Sequence, residues 1–273
     1  MPAVFMSTYR YFHGNHTGCG AFGLRNLLEY IMIRLKAVLL LIATIAFLAS
    51  PFWAQSFRGY DPQNFPVQIT DPAIQPAGWA FSIWGVIYLW LLGHAVMSTF
   101  KRSDAPDWDA PRWGMICSLG LGASWLQVAM VAPVLATVQI WLMAGFALWA
   151  LSKTGQAKPT KHARFALLSG PIGLYAGWVT AATGVATGVV LIGYGIGSET
   201  AVSLTMLCVI AAVALTVTAR MNPPVTYPIG VIWALIGVIA ANWGRDLIML
   251  PAAIFALALL ALVLRPFLPR STV

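Results

Sequence analysis

The sequence predicts an all-α polytopic membrane protein of about eight transmembrane helices. Three observations predict it. The 273 residues are 59% hydrophobic and only 9% charged, with mean hydropathy +0.79, so a soluble fold would have almost no polar surface to offer water. Apolar runs of about 18–20 residues, the length that crosses a ~30 Å hydrocarbon core as a helix, recur along the chain. The basic residues concentrate in every second loop, on one side of the membrane, as the positive-inside rule requires.

The runs fall at 35–54, 79–99, 113–131, 134–152, 165–190, 200–219, 225–242 and 247–264. With the N-terminus inside, 14 of the 16 Lys and Arg residues lie on the inner side, and only Arg58 and Arg245 fall outside. That asymmetry supports an even number of spans with both termini cytoplasmic, in a bacterial inner membrane. The net charge of +8 therefore reports topology. Nucleic acid is excluded as a partner, because no soluble basic module exists to hold it. Membrane lipid is the expected surrounding, with the basic loop 153–164 against anionic headgroups.

The first span follows Arg34 and Lys36. Ala49-Ser-Pro-Phe-Trp-Ala54 has some likeness to a signal-peptide cleavage region, but the apolar run is long, and Phe52 and Trp53 suit an interfacial aromatic belt. An uncleaved span is the favoured reading. Residues 1–31 lack periodicity and read as a mobile cytoplasmic tail, with Met32 as an alternative start. The outer loop 55–78 interleaves Pro62, Pro66, Pro72 and Pro76 with Phe57, Tyr60 and Phe65. Proline lowers the entropy lost on ordering, so the loop reads equally as a cap or as an ordinary interfacial segment.

The second span opens on Pro76-Ala-Gly-Trp79-Ala-Phe81-Ser-Ile-Trp84-Gly-Val-Ile-Tyr88. At about 100° per residue, Phe81, Trp84 and Tyr88 share one helix face and Trp79 points the other way. This predicts a flat aromatic wall under the outer loop, suited to a flat hydrophobic ligand. The inner loop 100–112 carries Asp104, Asp107 and Asp109 among Lys101, Arg102 and Arg112, a charge-balanced loop rather than a metal site. Ala132-Pro133 predicts a tight hairpin between spans three and four.

In the long fifth span, Gly173, Gly177, Ala181, Gly184 and Gly188 form a small-residue stripe that lets another helix approach closely. Tyr175 and Trp178 lie on a different face, which could look into a cavity. Gly193-Tyr-Gly-Ile-Gly197 lacks the strand-then-helix setting of a phosphate loop.

The spans hold almost no ionisable groups. That disfavours an ion-coupled pump, which needs charges near the midplane. His94 reads as an interfacial histidine bonded to a carbonyl or headgroup in preference to a haem ligand. Gln127, Gln139 and Asn242 read first as helix–helix hydrogen-bonding groups, with Gln127 also a candidate ligand contact. Cys19, Cys117 and Cys208 form no disulfide or metal pattern. No catalytic constellation occurs in the spans, so no enzyme is expected. Trp84, Trp90, Trp125, Trp141, Trp149, Trp178 and Trp233 lie deep enough that each indole N–H needs an acceptor, which places some of them along a pocket or packed core.

The Pro76/Gly78-Trp79-x-Phe81-x-x-Trp84-x-x-x-Tyr88 string and Trp178-Val-Thr-Ala-Ala182-Thr183 resemble the TspO/MBR family, the tryptophan-rich sensory proteins related to the translocator or peripheral benzodiazepine receptor. The resemblance covers about residues 35–190. It implies a five-helix core over 32–192, after the tail 1–31 and before an additional three-helix segment over 193–273. It also implies a pocket for porphyrins, sterols or related hydrophobic molecules, with no resident cofactor and a tetrapyrrole as the leading ligand. The ligand-binding residues expected on this reading are Trp79, Phe81, Trp84, Tyr88, Gln127, Tyr175 and Trp178. The chain departs from the family where Ser124 and Gln127 stand for its third-helix Asn and Trp, and Val185-Ala186 for its Leu-Asn. Two other classes compete with a ligand-binding sensor. One is a structural or assembly subunit of a larger, pigment-bearing complex or a homo-oligomer, and the other is a facilitator without ion coupling.

Overall fold

A computed structural model describes residues 19–53, 60–155 and 165–265. Among these, eight long helices follow in order: α1 (Cys19–Trp53), α2 (Ile83–Phe100), α3 (Arg112–Val131), α4 (Pro133–Lys153), α5 (Gly170–Gly193), α6 (Glu199–Met221), α7 (Thr226–Ala241) and α8 (Asp246–Leu264). Seven are long and apolar enough to cross a membrane, and α7, with 16 residues, is the shorter eighth. The protein is thus an integral membrane helical bundle.

Local chemistry sets the boundaries. α1 begins at Cys19, so 19–31, weakly patterned in sequence, are helical. Its 35 residues reach about 52 Å, well beyond the hydrocarbon thickness. Within it, Thr44 and Ser50 satisfy their hydroxyls on the Leu40 and Phe47 carbonyls. Proline opens α4 at Pro133 and α5 at Pro171, where no N–H is needed. Ser198 caps α6 by accepting the Ala201 N–H at 3.3 Å. Asn222 ends α6 in the left-handed region (φ 43°), and Pro223-Pro224 prevents continuation.

α5 is the central helix, with 78% of its most apolar stretch buried against 17% in α8. It packs on α4, α6 and α7, while α1 packs on α2 and α3, and α8 covers α6 and α7. The small-residue stripe explains this centrality. Gly173 faces Thr226 and Pro224, Gly177 faces the Tyr227 backbone, and Gly184 and Gly188 face α6 at Ile210 and Met206. From the other side Gly230 meets the α5 backbone at Leu174 and Trp178. Lipid supplies no hydrophobic drive between helices, so close van der Waals approach is what holds such a crossing.

At the basic end, the wholly buried Arg112 organises three segments. Its guanidinium donates to the Ser98, Arg102 and Ser103 carbonyls at 3.1, 3.0 and 2.9 Å, to the Ser98 hydroxyl at 3.1 Å and to the Ile33 carbonyl at 3.3 Å. Asp109 supplies the counter-charge at 3.0 Å and also takes Lys36 at 2.8 Å, and Asp104 pairs with Arg34 at 3.1 Å. Asp104 and Asp109 of the loop are therefore tied to α1, and Asp109 also to α3. Among the described residues no group of three or more His, Cys, Asp or Glu could hold a metal ion.

Replacing Gly177 by Ala puts a Cβ into the Tyr227 carbonyl, a backbone atom that cannot swing aside. We expect a loss on the order of 2 kcal/mol, the usual scale of overpacking, read as a lower melting temperature in detergent. Gly120→Ala, where a Cβ meets open space, should be neutral or slightly stabilising. Equal melting temperatures for the two variants would show that the α5–α7 crossing is looser than described.

Candidate functional site

The aromatic string that opens the second span is not one regular helix. Gly78–Ser82 forms a 3-10 turn before α2 starts at Ile83. Three residues per turn replace 3.6 there; Trp84 stacks on Tyr88, Phe81 meets Trp178, and Trp79 meets Trp233. The rings divide into two groups.

The first group packs ring against ring. Phe47 of α1 sits edge-on to Trp84, Tyr88 and Tyr175, with centroids 5.7, 5.3 and 5.8 Å away. Trp84 and Tyr88 stack at 5.3 Å with 22° between planes. Gly122 makes room for Phe47, whose ring lies where its Cβ would stand. Tyr175 is fully buried, 2.8 Å from the Ser118 hydroxyl, which donates to the Met143 carbonyl at 2.8 Å. Since Ser118 spends its proton there, Tyr175 is the donor of the pair.

The second group borders a cavity of about 70 Å³. Its walls are Phe81 and Trp178, Trp125 of α3, Ile140 of α4, Ala181, Ala182, Val185, Ala186 and Val189 of α5, and Ala234 of α7, roofed by Tyr60, Gln75 and Pro76. That volume holds a few waters, well below the ~300–1,000 Å³ of typical ligand sites. A larger guest must displace the walls or the roof.

Of the residues expected from sequence, Phe81 and Trp178 line this cavity, joined edge-on at 5.8 Å. Trp84 touches Trp178 at 6.0 Å from behind. Tyr88 and Tyr175 belong to the packed block, and Trp79 turns outward, half-exposed and edge-on to Trp233 at 5.3 Å. Gln127 reaches the Ser50 carbonyl at 3.3 Å, or with its amide turned the Ser124 and Ala123 carbonyls of its own helix. It is not among the lining residues. Sequence reasoning named Trp125 only among the deep tryptophans and did not single out Gln75 or Ala234. Ala181, Ala182 and Ala186 were the readable signal for a hollow on that face of α5.

Residues 60–77 form a cap docked on the helix ends. The Val67 N–H donates to Gly193 and the Ala77 N–H to Gly237, both at 3.0 Å. Asn64 donates to the Met130 carbonyl and Asn242 to the Ala73 carbonyl, each at 2.8 Å, while Glu199 accepts the Ala73 N–H at 2.9 Å. Ile74, fully buried, fills the space over Gly188, and Phe65 that over Gly193. α7 thus braces the roof as well as walling the cavity, and Trp233 adds a 2.7 Å bond to the Ala80 carbonyl.

Indole hydrogen bonds separate the tryptophans. Trp90 donates to Ala166, Trp125 to Ala136 at 2.9 Å, and Trp141 to Thr187 at 3.0 Å. Trp178, only 3% exposed, has no acceptor for its N–H, a deficit of about 1–3 kcal/mol for a buried donor. His94 is buried, stacked on Trp108 at 12° and bonded through Nδ1 to the Leu167 carbonyl at 2.8 Å. A carbonyl only accepts, so Nδ1 carries the proton. This is the carbonyl-bonded histidine that the sequence favoured.

The molecule is thus a membrane bundle of small-residue helices with an aromatic cavity beneath a docked cap. A family model described as TSPO-like protein matches residues 37–265, and the chain belongs to that family. The match runs on through α6, α7 and α8, beyond the five spans that the sequence motifs covered. No curated protein and no solved structure matches the chain.

Tyr60 gives the cap a pH signature. Burial pushes its phenol from 10.0 up to about 12, opposed by the 3.3 Å bond to Thr137. Below pH 10 the phenol is neutral whether the cap is docked or released. Between pH 10 and 12 the released form ionises first, so docking loses stability as pH rises. Melting temperatures from pH 8 to 11.5 should fall more steeply in the native protein than in Tyr60→Phe. Parallel curves would show that the phenol is not held in the roof.

Proposed function

We propose that this protein is a receptor or carrier for a flat hydrophobic ligand, of tetrapyrrole or sterol-like kind, held between α3, α4, α5 and α7 beneath the cap. It would act in a bacterial inner membrane with both termini cytoplasmic, sensing or passing on its ligand without catalysing a reaction. The observation that carries the reading is the cavity itself. Phe81, Trp125 and Trp178 border it, a hydrogen-bonded cap roofs it, and it lies at one end of a TSPO-like bundle. Aromatic faces offer a flat guest large contact area at low conformational cost, and the alanines on the α5 face keep that wall free of bulky side chains. The small resting volume fits a cap that yields when the ligand arrives.

The test is titration of the protein in lipid nanodiscs with protoporphyrin and with a sterol, followed by tryptophan fluorescence. The native protein should be quenched saturably by at least one of them. Ala186→Phe, which fills the cavity from its α5 wall, should weaken that binding about ten-fold or more, the scale of losing one buried apolar contact surface. Unsaturable quenching, or the same affinity in the filled variant, would favour an assembly subunit whose aromatic faces serve packing.

A further inference from the structure

Taken as a ligand site, a reading on which this inference rests, the cavity needs an entrance, and its walls are not equally closed. The roof is held by the hydrogen bonds of Asn64, Val67, Ala73 and Ala77, with Ile74 wholly buried among them. A roof that yields to a seated guest need not be the way in. Of the described lining residues Phe81 alone is exposed, at 37%, and the others are buried or half-buried. For an aromatic side chain this is on the order of 75 Å², more than one wall among many draws from a void of about 70 Å³. Phe81 thus has the cavity on one side and the outside of the bundle on the other. Ser82, Gly85, Val86 and Leu89, all exposed, continue that outer side along α2, which makes it the face turned to lipid.

The ring also has room to move. A Cβ added at Gly78 or at Gly85, three residues before Phe81 and four after it, meets nothing within 4 Å. A side chain at position 85 would lie over the turn N-terminal to it, beside Phe81, and glycine leaves that place empty. The preceding backbone is pinned, because the Ala77 N–H donates to the Gly237 carbonyl at 3.0 Å and Trp233 donates to the Ala80 carbonyl at 2.7 Å. Rotation about χ1 therefore moves the ring with the main chain at rest, and gives up one edge-on contact with Trp178.

We propose that Phe81 is a lateral gate. Its ring swings toward Gly85 to pass a flat hydrophobic ligand between the bilayer and the cavity, and returns against Trp178 to close behind it. The ligand is then one already dissolved in the leaflet at the cap end, and it does not arrive from water through the roof. Roof entry would break several hydrogen bonds together and leave backbone groups seeking new partners. The ring swing breaks none.

Exchange kinetics test this. Protoporphyrin, or dehydroergosterol as the sterol, is mixed rapidly with the protein in nanodiscs, and tryptophan emission follows binding. Empty nanodiscs give the rate of partition into lipid, and an excess of them draws the ligand off again. In Phe81→Ala both association and dissociation should be about ten-fold faster than in the native protein, the scale of one lost ring contact in the closed state. Gly85→Leu, outside the lining, should slow both about three-fold or more and leave the affinity within about two-fold. Asn242→Ala, which releases the Ala73 carbonyl of the roof, should keep both rates within about two-fold of native. Association that is not faster in Phe81→Ala overturns the gate and leaves the cavity reading intact. Faster association in Asn242→Ala does the same, since it puts the entrance at the roof. If Phe81→Ala does not fold, the other two variants decide: slowed exchange in Gly85→Leu with native rates in Asn242→Ala upholds the gate, and any other pattern overturns it. Failure of both probes to bind the native protein saturably overturns the cavity reading and the gate with it.

Discussion

The crossing of α5 and α7 is the contact on which the rest of the molecule depends. Gly173 and Gly177 on one helix and Gly230 on the other let the two backbones meet, with the Tyr227 carbonyl where a Cβ of residue 177 would be. In a bilayer this closeness is the main source of attraction, because lipid tails solvate leucines as well as other leucines do. The α7 side of the cap end depends on it. Ala234 becomes a wall of the cavity, Gly237 admits Pro76 and Ala80 against the helix, and Trp233 and Asn242 hold the carbonyls of Ala80 and Ala73. The helices after residue 193 thus take part in the site.

The aromatic residues do two different jobs. Phe47, Trp84, Tyr88 and Tyr175 fill one another's gaps and fix α1, α2 and α5 together, as edge-to-face and stacked rings do. Phe81, Trp125 and Trp178 instead border open volume. Trp178 belongs to both groups, touching Trp84 on the packed side and Phe81 on the cavity side. At the opposite end Arg112 performs the equivalent fixing with hydrogen bonds, drawing α1, the end of α2 and the following loop onto α3.

Much of the architecture is legible in the sequence because hydropathy and helix length are local properties. The spans, the Ala132-Pro133 hairpin, the role of the glycine stripe and the carbonyl bond of His94 are all readable from residue type and spacing. Trp79 turns away from Trp84 as the spacing predicts, but its contact with Trp233, and that of Phe81 with Trp178, are not legible, because they depend on where α7 and α5 come to lie. Tyr175 is legible as facing away from the stripe, but whether that face meets a void depends on Phe47, over a hundred residues earlier. Arg112 looks like one more inner-loop cation, since nothing local shows that five backbone and hydroxyl oxygens converge on it. The contribution of α7 lies beyond reach for the same reason. Only the tertiary crossing brings Ala234 and Gly237 to the cavity.

Oxidative cross-linking in native membranes measures that crossing's consequence most directly. With Cys19, Cys117 and Cys208 replaced by serine, cysteines are placed at Pro76 and Gly237, where an added Cβ lies 2.8 Å from the Pro76 Cβ, close enough that a small relaxation reaches disulfide geometry. The account predicts rapid intramolecular cross-linking of this pair. Two cysteines that each react with maleimide yet never join would contradict it, because the cap and α7 would then not meet.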